Sequence, residues 1–214
     1  MAKIKKKSYL NSYYCVCEGQ QEILYLKHLQ TLINNENPKS RVSFTTIKGT
    51  PERLKRSTVE YDCAALFDHD SNETVFKQNL ETCNTFMRKN KNGRKLHIAY
   101  SNINFDLWLV LHKIYFNKPA HSNHAYVDGV RKAFNLGKEA DIKEEGIILD
   151  ILSQITLLDV YKAIERANKI RNGKLETDYA RVGKVEYYCN PDFYIHKFVE
   201  TVLENSGIKI KSPH

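Results

Sequence analysis

The stretch 63–70 constrains the fold of this chain more than any other. Its first five residues are all apolar, and they run directly into Asp68, His69 and Asp70. An apolar run this short, ended by polar residues, predicts a strand buried on both faces, as in a parallel sheet. In open α/β sheets, ligands bind beyond the carboxyl ends of such strands. Asp68 and Asp70 therefore stand where a functional site is expected.

The two aspartates allow two interpretations. If the backbone stays extended through His69, the period of two places both carboxylates on one side of the strand. Their repulsion is then relieved by a hard divalent cation such as Mg²⁺, which binds through one or two carboxylates. In the other interpretation, Asp70 is the N-cap of a capping box that ends at Glu73 and opens the next helix. Both stay open at this point.

A further acid occupies the same setting earlier in the chain. The apolar and aromatic run 13–17 ends directly at Glu18 and Gly19, and a helical pattern follows. If the two strands are neighbours in a parallel sheet, their carboxyl ends lie about 5 Å apart. Glu18, Asp68 and Asp70 then converge on a site suited to a divalent metal and a phosphate. Phosphoryl transfer and phosphodiester hydrolysis are the reactions that fit this site best.

Strand and helix patterns alternate through the first half of the chain. Strand patterns occur at 13–17, 41–47, 63–67 and 96–100, and helical patterns at 21–33, after Asp70 and at 105–116. Such alternation predicts an α/β fold whose mainly parallel sheet is flanked by helices.

The second half of the chain is mainly helical in pattern. In order, it contains a polar segment at 117–146 with one short helix at 126–134, a continuous helix at 147–170, an irregular segment at 174–188 and a last helix that starts at Asn190-Pro191. The polar segment is interpreted as an insertion or lid. We therefore predict an α/β core over 1–116 and a helical insertion and C-terminal extension over 117–214, packed together as one structural unit.

Composition limits the class of protein and the compartment. Lys and Arg number 33 against 25 Asp and Glu, and the net charge of +8 favours a polyanionic partner such as nucleic acid. The start Met1–Lys7 has no signal-peptide pattern and no run of 18 apolar residues occurs, so we expect a cytoplasmic protein without membrane contact. Five cysteines without a Cys-x-x-Cys pair fit core positions in a reducing compartment.

Several motifs, taken together and in order, resemble the RloB-like branch of the Toprim family. They are a Cys-Glu-Gly opening followed by Glu22, the Phe-Asp-x-Asp strand end at 67–70, the segment 101–112 and a late Asn-Pro at 190–191. The resemblance covers most of the chain. Two positions depart from the family pattern: Gln21 stands where Thr is frequent, and Asp106 stands where Glu is usual.

The resemblance implies a compact Toprim sheet and a Mg²⁺- or Mn²⁺-dependent nuclease of bacterial anti-phage defence. Relatives of this kind can cut tRNA and so arrest the infected cell, often beside an ATPase partner encoded nearby. Asp68 and Asp70 would be metal ligands, and Glu18 would complete the metal site and act as general acid or base. Any ATP hydrolysis would come from another subunit, because this sequence has no Walker-type glycine-rich loop.

Five further residues are candidates for a place behind the metal ligands or against the substrate. They are Glu22, Lys48, Ser101, Asn102 and His112. Two of them have a structural alternative, since Asn102 could cap the buried helix predicted at 105–116 and His112 could be a core histidine.

The leading hypothesis is a metal-dependent nuclease that acts on nucleic acid, with RNA, tRNA-like in particular, ahead of DNA. One alternative is a nuclease that nicks DNA. Another is a non-catalytic module that binds nucleic acid or regulates an ATPase complex. A fourth interpretation takes Asp68 and Asp70 as the nucleophile and acid of a haloacid-dehalogenase-like phosphatase. That pair normally follows the first strand, whereas here it follows the third.

Overall fold

The structure is a computed structural model that describes residues 9–90, 93–120, 122, 124–175 and 177–209. The segment 1–7, on which the signal-peptide expectation rests, lies outside the described residues. The elements are, in order, β1 (Tyr9–Cys17), α1 (Gln20–Asn35), β2 (Ser40–Lys48), a 3-10 helix (Pro51–Arg56), β3 (Cys63–Asp68), α2 (Glu73–Lys89), β4 (Leu96–Asn102), α3 (Asp106–Lys113), α4 (His124–Ala133), α5 (Glu145–Ser153), α6 (Leu157–Asn172), β5 (Tyr179–Val182), β6 (Val185–Tyr188), β7 (Asp192–Phe193) and α7 (Ile195–Ser206).

The central sheet has the strand order β2-β1-β3-β4-β7. Its first four strands run parallel, and β7 pairs antiparallel with β4 through Phe193 opposite Ser101 and Asp192 opposite Asn102. The central strand β3 is buried from Cys63 to Phe67, as its continuous apolar run predicts. The predicted α/β fold with a mainly parallel sheet flanked by helices is confirmed.

Alternate side chains of the central strands point to opposite faces of the sheet, and each face carries its own hydrophobic cluster. Cys17 and Leu66 belong to the larger cluster, which also includes side chains of α1, α3, α6 and α7. Val16 and Phe67 belong to the smaller cluster, together with side chains of α2. The sheet is thus covered on both faces, which leaves its carboxyl edge as the place where polar side chains of β1 and β3 can gather.

Several side chains of the polar segment 117–146 contribute to the core. Tyr126 and Val130 of α4 are fully buried and belong to the larger cluster, as does Ile142 in the loop before α5. Gly129 allows this close packing, because a Cβ there would lie 3.1 Å from the Val110 side chain of α3. The division between 1–116 and 117–214 stays a prediction.

The predicted helix at 147–170 is wrong in one respect, because two helices with a break between them occupy this range. A capping box at Thr156 starts the second helix: Thr156 Oγ1 accepts from Asp159 N at 3.2 Å, and Asp159 Oδ2 accepts from Thr156 N at 2.9 Å. The helical period continues across the break, so periodicity alone does not reveal it. The Thr-x-x-Asp signal does.

The segment 174–188, which shows no period in the sequence, contains the β5–β6 hairpin. Gly183 takes φ +60° in its turn. The side-chain amide of Asn84 in α2 donates to Val182 O at 2.9 Å and holds the hairpin against that helix. The last helix begins at Ile195 and not at Asn190-Pro191, because Asp192 and Phe193 first pair with β4.

The cysteines match their expected place in the fold. Cys15, Cys17, Cys63 and Cys83 are buried, Cys189 is exposed, and all five are free thiols. In the part of the chain that the structure describes, no helix combines the length and the apolar character needed to cross a bilayer.

Candidate functional site

The carboxyl ends of β1 and β3 meet at one edge of the sheet, as the sequence predicts. Cys17 pairs with Leu66 in parallel register, and Glu18 N continues the ladder by donating to Leu66 O at 3.0 Å. Asp68 N then donates to Glu18 Oε2 at 2.9 Å. Two acids that are 50 residues apart in the chain are thereby fixed side by side.

Beyond Asp68 the backbone leaves the extended conformation. His69 N donates to Ser101 O at 2.9 Å, Asp70 N donates to Ile103 O at 2.9 Å, and Asp70 takes φ +46°. The period of two therefore does not carry on to Asp70, although its charge still acts on Asp68. The N-cap interpretation of Asp70 is wrong. Helix α2 starts at Glu73, and its N-cap is Asn72, whose side chain accepts from Val75 N at 3.1 Å.

Glu22 joins the site from the first turn of α1. Its side chain is buried, and its carboxylate folds back onto its own N–H and that of Gly19. A Cβ at position 19 would lie 2.7 Å from Glu22 Oε2, so this approach requires glycine. The Glu-Gly pair at 18–19 thus does two things: it ends the strand with an acid, and it leaves room for the second acid.

Asn104, in the loop after β4, and Asp106, the first residue of α3, complete the carboxyl edge. Both are buried, and Asn104 Nδ2 donates to Asp106 Oδ2 at 3.2 Å. The side-chain amide of Gln21 donates to Ile142 O at 3.0 Å and also lies close to Asp106. Sequence reasoning missed Asn104. The alternation of polar and apolar residues from Ile103 to Asp106, directly before the apolar run 107–111, is the signal that could have found it.

Burial and mutual repulsion disfavour the ionised forms of the acids at this edge of the sheet. Burial raises the pKa of Asp68 well above its ordinary value, and the charges of Glu22, Asp70 and Glu18 raise it further, against one hydrogen bond from Phe105 N–H. Burial likewise raises the pKa of Glu18, and the Asp68 N–H works against it.

The two more deeply buried acids show the same tendency. Burial raises the pKa of Glu22 to about 7, and the charges of Glu18 and Asp106 add to this effect. Burial raises the pKa of Asp106 to about 6, with the positive charge of Lys143 working in the other direction. Within the described residues, none of the salt bridges involves Glu18, Glu22, Asp68 or Asp106. Where these four acids are ionised, no Lys, Arg or His side chain of the described residues neutralises them through a salt bridge.

This donor set suits a hard divalent cation. Mg²⁺ and Mn²⁺ prefer oxygen ligands, and Mg²⁺ needs one or two carboxylates because it keeps several waters. Asn104 Oδ1 and Asp106 Oδ1 are buried and lack a hydrogen-bond partner among the described residues. No group of three or more His, Cys, Asp or Glu side chains in the described ranges has the geometry of a preformed metal site. The acids thus fit the cation by their chemistry, although they are not arranged as a preformed site of three ligands.

The other candidate residues are divided between the site and its surroundings. Ser101 is buried and pairs with Asp68 in the register of β3 and β4. Lys48 is exposed and is the last residue of β2, where it pairs with Cys17, the residue before Glu18. Asn102 does not cap α3, whose N-cap is Phe105. Its Nδ2 donates instead to Tyr188 O at 3.1 Å, which ties the hairpin to the end of β4.

His112 belongs to the core. It is fully buried, its Nδ1 lies 2.8 Å from Trp108 O, and its Nε2 lies 3.2 Å from the Tyr25 hydroxyl. Because a carbonyl only accepts, Nδ1 carries the proton and Nε2 accepts from Tyr25. Burial lowers the pKa of His112 to about 4, so the ring is neutral at physiological pH. Its packing between α1 and α3 gives it a structural role.

His69, between the two aspartates, is a site residue to which the sequence assigned no role. Its Nε2 lies 2.7 Å from Glu73 Oε2, Tyr187 O–H donates to Glu73 Oε1 at 2.6 Å, and Lys77 Nζ lies 2.9 Å from the same oxygen. Although burial raises the pKa of Glu73, these three partners lower it to about 2. The network links the loop that carries the acids to the β5–β6 hairpin. The i, i+4 spacing of His69 and Glu73 is the signal for it.

The comparisons with known proteins place the chain in a family. No curated protein and no solved structure matches the chain. The family model described as RloB-like protein matches residues 13–202, a range that contains all the acids of the site, the loop after β3 and the hairpin. The chain therefore belongs to the RloB-like family.

Proposed function

We propose that this protein is a Mg²⁺- or Mn²⁺-dependent nuclease that hydrolyses phosphodiester bonds, in RNA ahead of DNA. One observation carries the proposal: Glu18 and Asp68 are fixed side by side at the sheet edge, among further acids, without direct contact to a described cation. The net charge of +8 supports a polyanionic substrate. The resemblance of the motifs to the Toprim arrangement supports nuclease chemistry and the preference for RNA, with tRNA-like molecules as the first candidates.

In the proposed mechanism, Asp68 and Asp70 would hold the cation together with Glu18. When bound, a divalent cation supplies the positive charge that polarises a phosphate oxygen and stabilises the leaving oxygen. The Asp68 N–H fixes one oxygen of Glu18 and so orients the carboxylate that takes up or gives the proton. Glu22 and Asp106 lie behind these groups and keep the local field negative, which favours retention of the cation.

The resemblance also supports a biological setting. In it, the nuclease is the effector of an anti-phage defence system that arrests the infected cell, and an ATPase encoded nearby controls it. The chain itself offers the catalytic acids and the basic surface.

The test is cleavage of total cellular RNA and of plasmid DNA, with Mg²⁺, Mn²⁺ or EDTA, by the parent protein and by Asp68→Asn. The matched control is Asp128→Asn, an exposed acid of α4 whose partner is Arg131. We expect discrete RNA fragments that require metal and Asp68 and that persist with the control variant. An Asp68→Asn protein as active as the parent would contradict the proposal. Nicked plasmid without RNA fragments would move the substrate to DNA.

A second candidate, a non-catalytic subunit that binds nucleic acid or regulates an ATPase, is favoured by one observation. The described side chains do not form a ready set of three metal ligands. Intact RNA and DNA after incubation with Mn²⁺ and the neighbouring gene product, together with retained binding, would support this candidate. Metal- and Asp68-dependent turnover of p-nitrophenyl phosphate, with intact nucleic acid, would instead support the phosphatase.

A further inference from the structure

A cleft of about 620 Å³ lies beside the acids and has no role in the mechanism above. One wall is the loop after β3 with the end of β4, through His69, Ser71 and Asn102, and the other wall is the β5–β6 hairpin. The first wall is the loop that carries Asp68 and Asp70. The cleft falls in the range of about 300–1,000 Å³ that is usual for pockets that enclose a small organic group. The cleft and the acids thus share the loop after β3.

The hairpin wall is aromatic. Tyr179 is 39% exposed, and the ring of Tyr188 meets it edge-on with 6.3 Å between centroids. Arg181 lies over the Tyr179 ring at 5.3 Å, and Arg171 lies over the Tyr188 ring at 5.2 Å. An accessible tyrosine face with a guanidinium on it is a surface on which nucleobases stack, whatever their sequence.

The acids that line the cleft do not prevent a nucleobase from binding there. The carboxylate of Glu73 already has His69, Tyr187 and Lys77 as hydrogen-bond or salt-bridge partners. Asp178 stands at the rim, where its neighbour Thr177 donates to it. A base carries no net charge, so these carboxylates repel it far less than they would repel a phosphate. The cleft suits the base of a nucleotide, and its phosphates need another surface.

That surface continues from the cleft along the same hairpin. A groove of about 820 Å³ follows, lined by Arg181 and Lys184 of the hairpin and by Lys77 and Arg88 of α2, with Glu81 as its acid. Two of these cations have partners, Lys77 with Glu73 and Arg181 with Glu186. Both pairs are exposed to solvent, so they are weak and can yield to a phosphate. Tyr179 and Ala180 line the cleft, and the next residues of β5 line the groove, so the two are continuous.

We propose that the cleft stacks one unpaired base on Tyr179, beside the loop that carries Asp68 and Asp70, while the basic groove holds the phosphates that follow. The substrate is therefore single-stranded or looped nucleic acid and not a regular duplex. In a duplex the bases are stacked on one another, and the unstacking of one costs a few kcal/mol. The inference rests on the proposed function only for what happens at the acids; the binding surface itself does not require cleavage.

The test is binding in EDTA, where no metal-dependent turnover occurs. A fluorescent 12-nucleotide RNA of mixed sequence is titrated by anisotropy with the parent, Tyr179→Ala and Tyr179→Phe, and the blunt duplex of the same sequence is titrated alongside. The matched control is Tyr115→Ala, because Tyr115 is 45% exposed and carries Lys169 over its ring at 5.0 Å, but lies beyond the other end of α3 from Asp106.

We expect the parent to prefer the single strand. Tyr179→Ala should weaken single-strand binding about 5- to 150-fold, since base–aromatic stacking is worth about 1–3 kcal/mol per base. Tyr179→Phe keeps the ring and should bind nearly as the parent does, and Tyr115→Ala should not change binding. Unfolding midpoints equal to that of the parent show that the variants are folded.

The outcomes separate the inference from the proposed function. Equal binding by Tyr179→Ala and the parent, equal binding of strand and duplex, or no binding at all overturns the inference, even where RNA is cleaved. Tyr179-dependent binding supports it, and if Mn²⁺ then produces no cleavage with the neighbouring gene product present, it is the proposed nuclease function that fails. The same series with single-stranded DNA shows which nucleic acid the cleft prefers.

Discussion

Two buried sites of this protein contain an aspartate, and the groups that surround its carboxylate are opposite in kind at the two sites. Asp192 in β7 is fully buried, and its oxygens accept from Arg171 Nη1 at 2.6 Å, from the Tyr100 hydroxyl at 2.6 Å and from Tyr188 N at 2.9 Å. Asp68 lies among other acids and accepts from a backbone N–H. The carboxylate of Asp192 is thus paired with a cation and hydrogen-bonded, whereas that of Asp68 is surrounded by other acids.

The difference shows how structural and functional acids can be told apart. A buried charge is tolerated when it is paired and hydrogen-bonded, which is the condition of Asp192. A group of acids without such pairing lowers stability unless something from outside binds to it. We therefore propose that Asp192 serves the fold, whereas Glu18, Glu22, Asp68 and Asp106 serve a ligand. Four measurements test this contrast.

The largest effect is expected for Asp68→Asn on catalysis. Loss of a metal-binding carboxylate should reduce metal-dependent cleavage at least ~10³-fold, while the fold gains stability in EDTA because a repelling charge is removed. Fragment yield on gels and urea unfolding measure the two effects. A variant that loses activity and also unfolds more easily in EDTA would place Asp68 with the structural acids.

The next effect is on stability and belongs to Asp192. Replacement by Asn leaves Arg171 buried without its counter-charge, so we expect a loss of about 3–5 kcal/mol in the free energy of unfolding. Urea unfolding measures it, and exposed Asp128→Asn should change it by less than about 0.5 kcal/mol. A second replacement, Arg171→Met in the Asp192→Asn background, should recover part of the loss. If Asp192→Asn lost no more free energy of unfolding than Asp128→Asn, the contrast between Asp192 and Asp68 would be wrong.

The pH dependence of stability extends the contrast to a core histidine. The pKa of His112 is about 4 in the folded chain and about 6.5 when unfolded, so protons bind the unfolded state first as pH falls. Its contribution is complete above pH ~6.5 and is lost towards pH ~4, by up to roughly 3 kcal/mol.

Urea unfolding at several pH values measures this loss, which His112→Gln should reduce. His196, whose pKa burial lowers to about 3, adds a loss of the same sign that remains in the variant. Exposed His124→Gln is the control and should follow the parent. An unchanged pH profile for His112→Gln would show that the ring is not buried as a neutral group.

The smallest expected effect is stabilisation by metal. Mg²⁺ or Mn²⁺ at 100 times its Kd should add about 2.7 kcal/mol to the free energy of unfolding, through binding to the folded state alone. Asp68→Asn should abolish this gain, and Asp128→Asn should keep it. Thermal unfolding with and without EDTA measures it. Equal stabilisation of the parent and of Asp68→Asn would show that the metal binds elsewhere.

The sequence predicts the sheet and the place of the acids well, because both follow from local patterns. Short apolar runs define β1 and β3, and parallel pairing of neighbours is enough to bring Glu18 and Asp68 together. The turn after Asp68 was not predictable in the same way. The conformation of Asp70 depends on bonds to Ile103, which belongs to a distant part of the chain.

The sequence does not predict the β5–β6 hairpin because its first strand is mostly exposed. Tyr179, Ala180 and Arg181 face solvent, so no burial period of two appears in the sequence. Packing against Asn84 of α2 and pairing between the two strands define it instead. His112 shows the related problem for sites: a polar residue in an apolar helix has the same pattern whether it binds substrate or packs in the core.

The bond from Asp68 N to Glu18, together with the bond from Asn102 to Tyr188, bears on how the protein is made. The first joins residues 50 apart, and the second joins residues 86 apart. Strand pairing alone brings the acids together, but the cleft has only one wall until the hairpin emerges from the ribosome and docks on α2. The cleft proposed to bind a base is therefore complete only after the hairpin has been synthesised, later than the strands that bring Glu18 and Asp68 together.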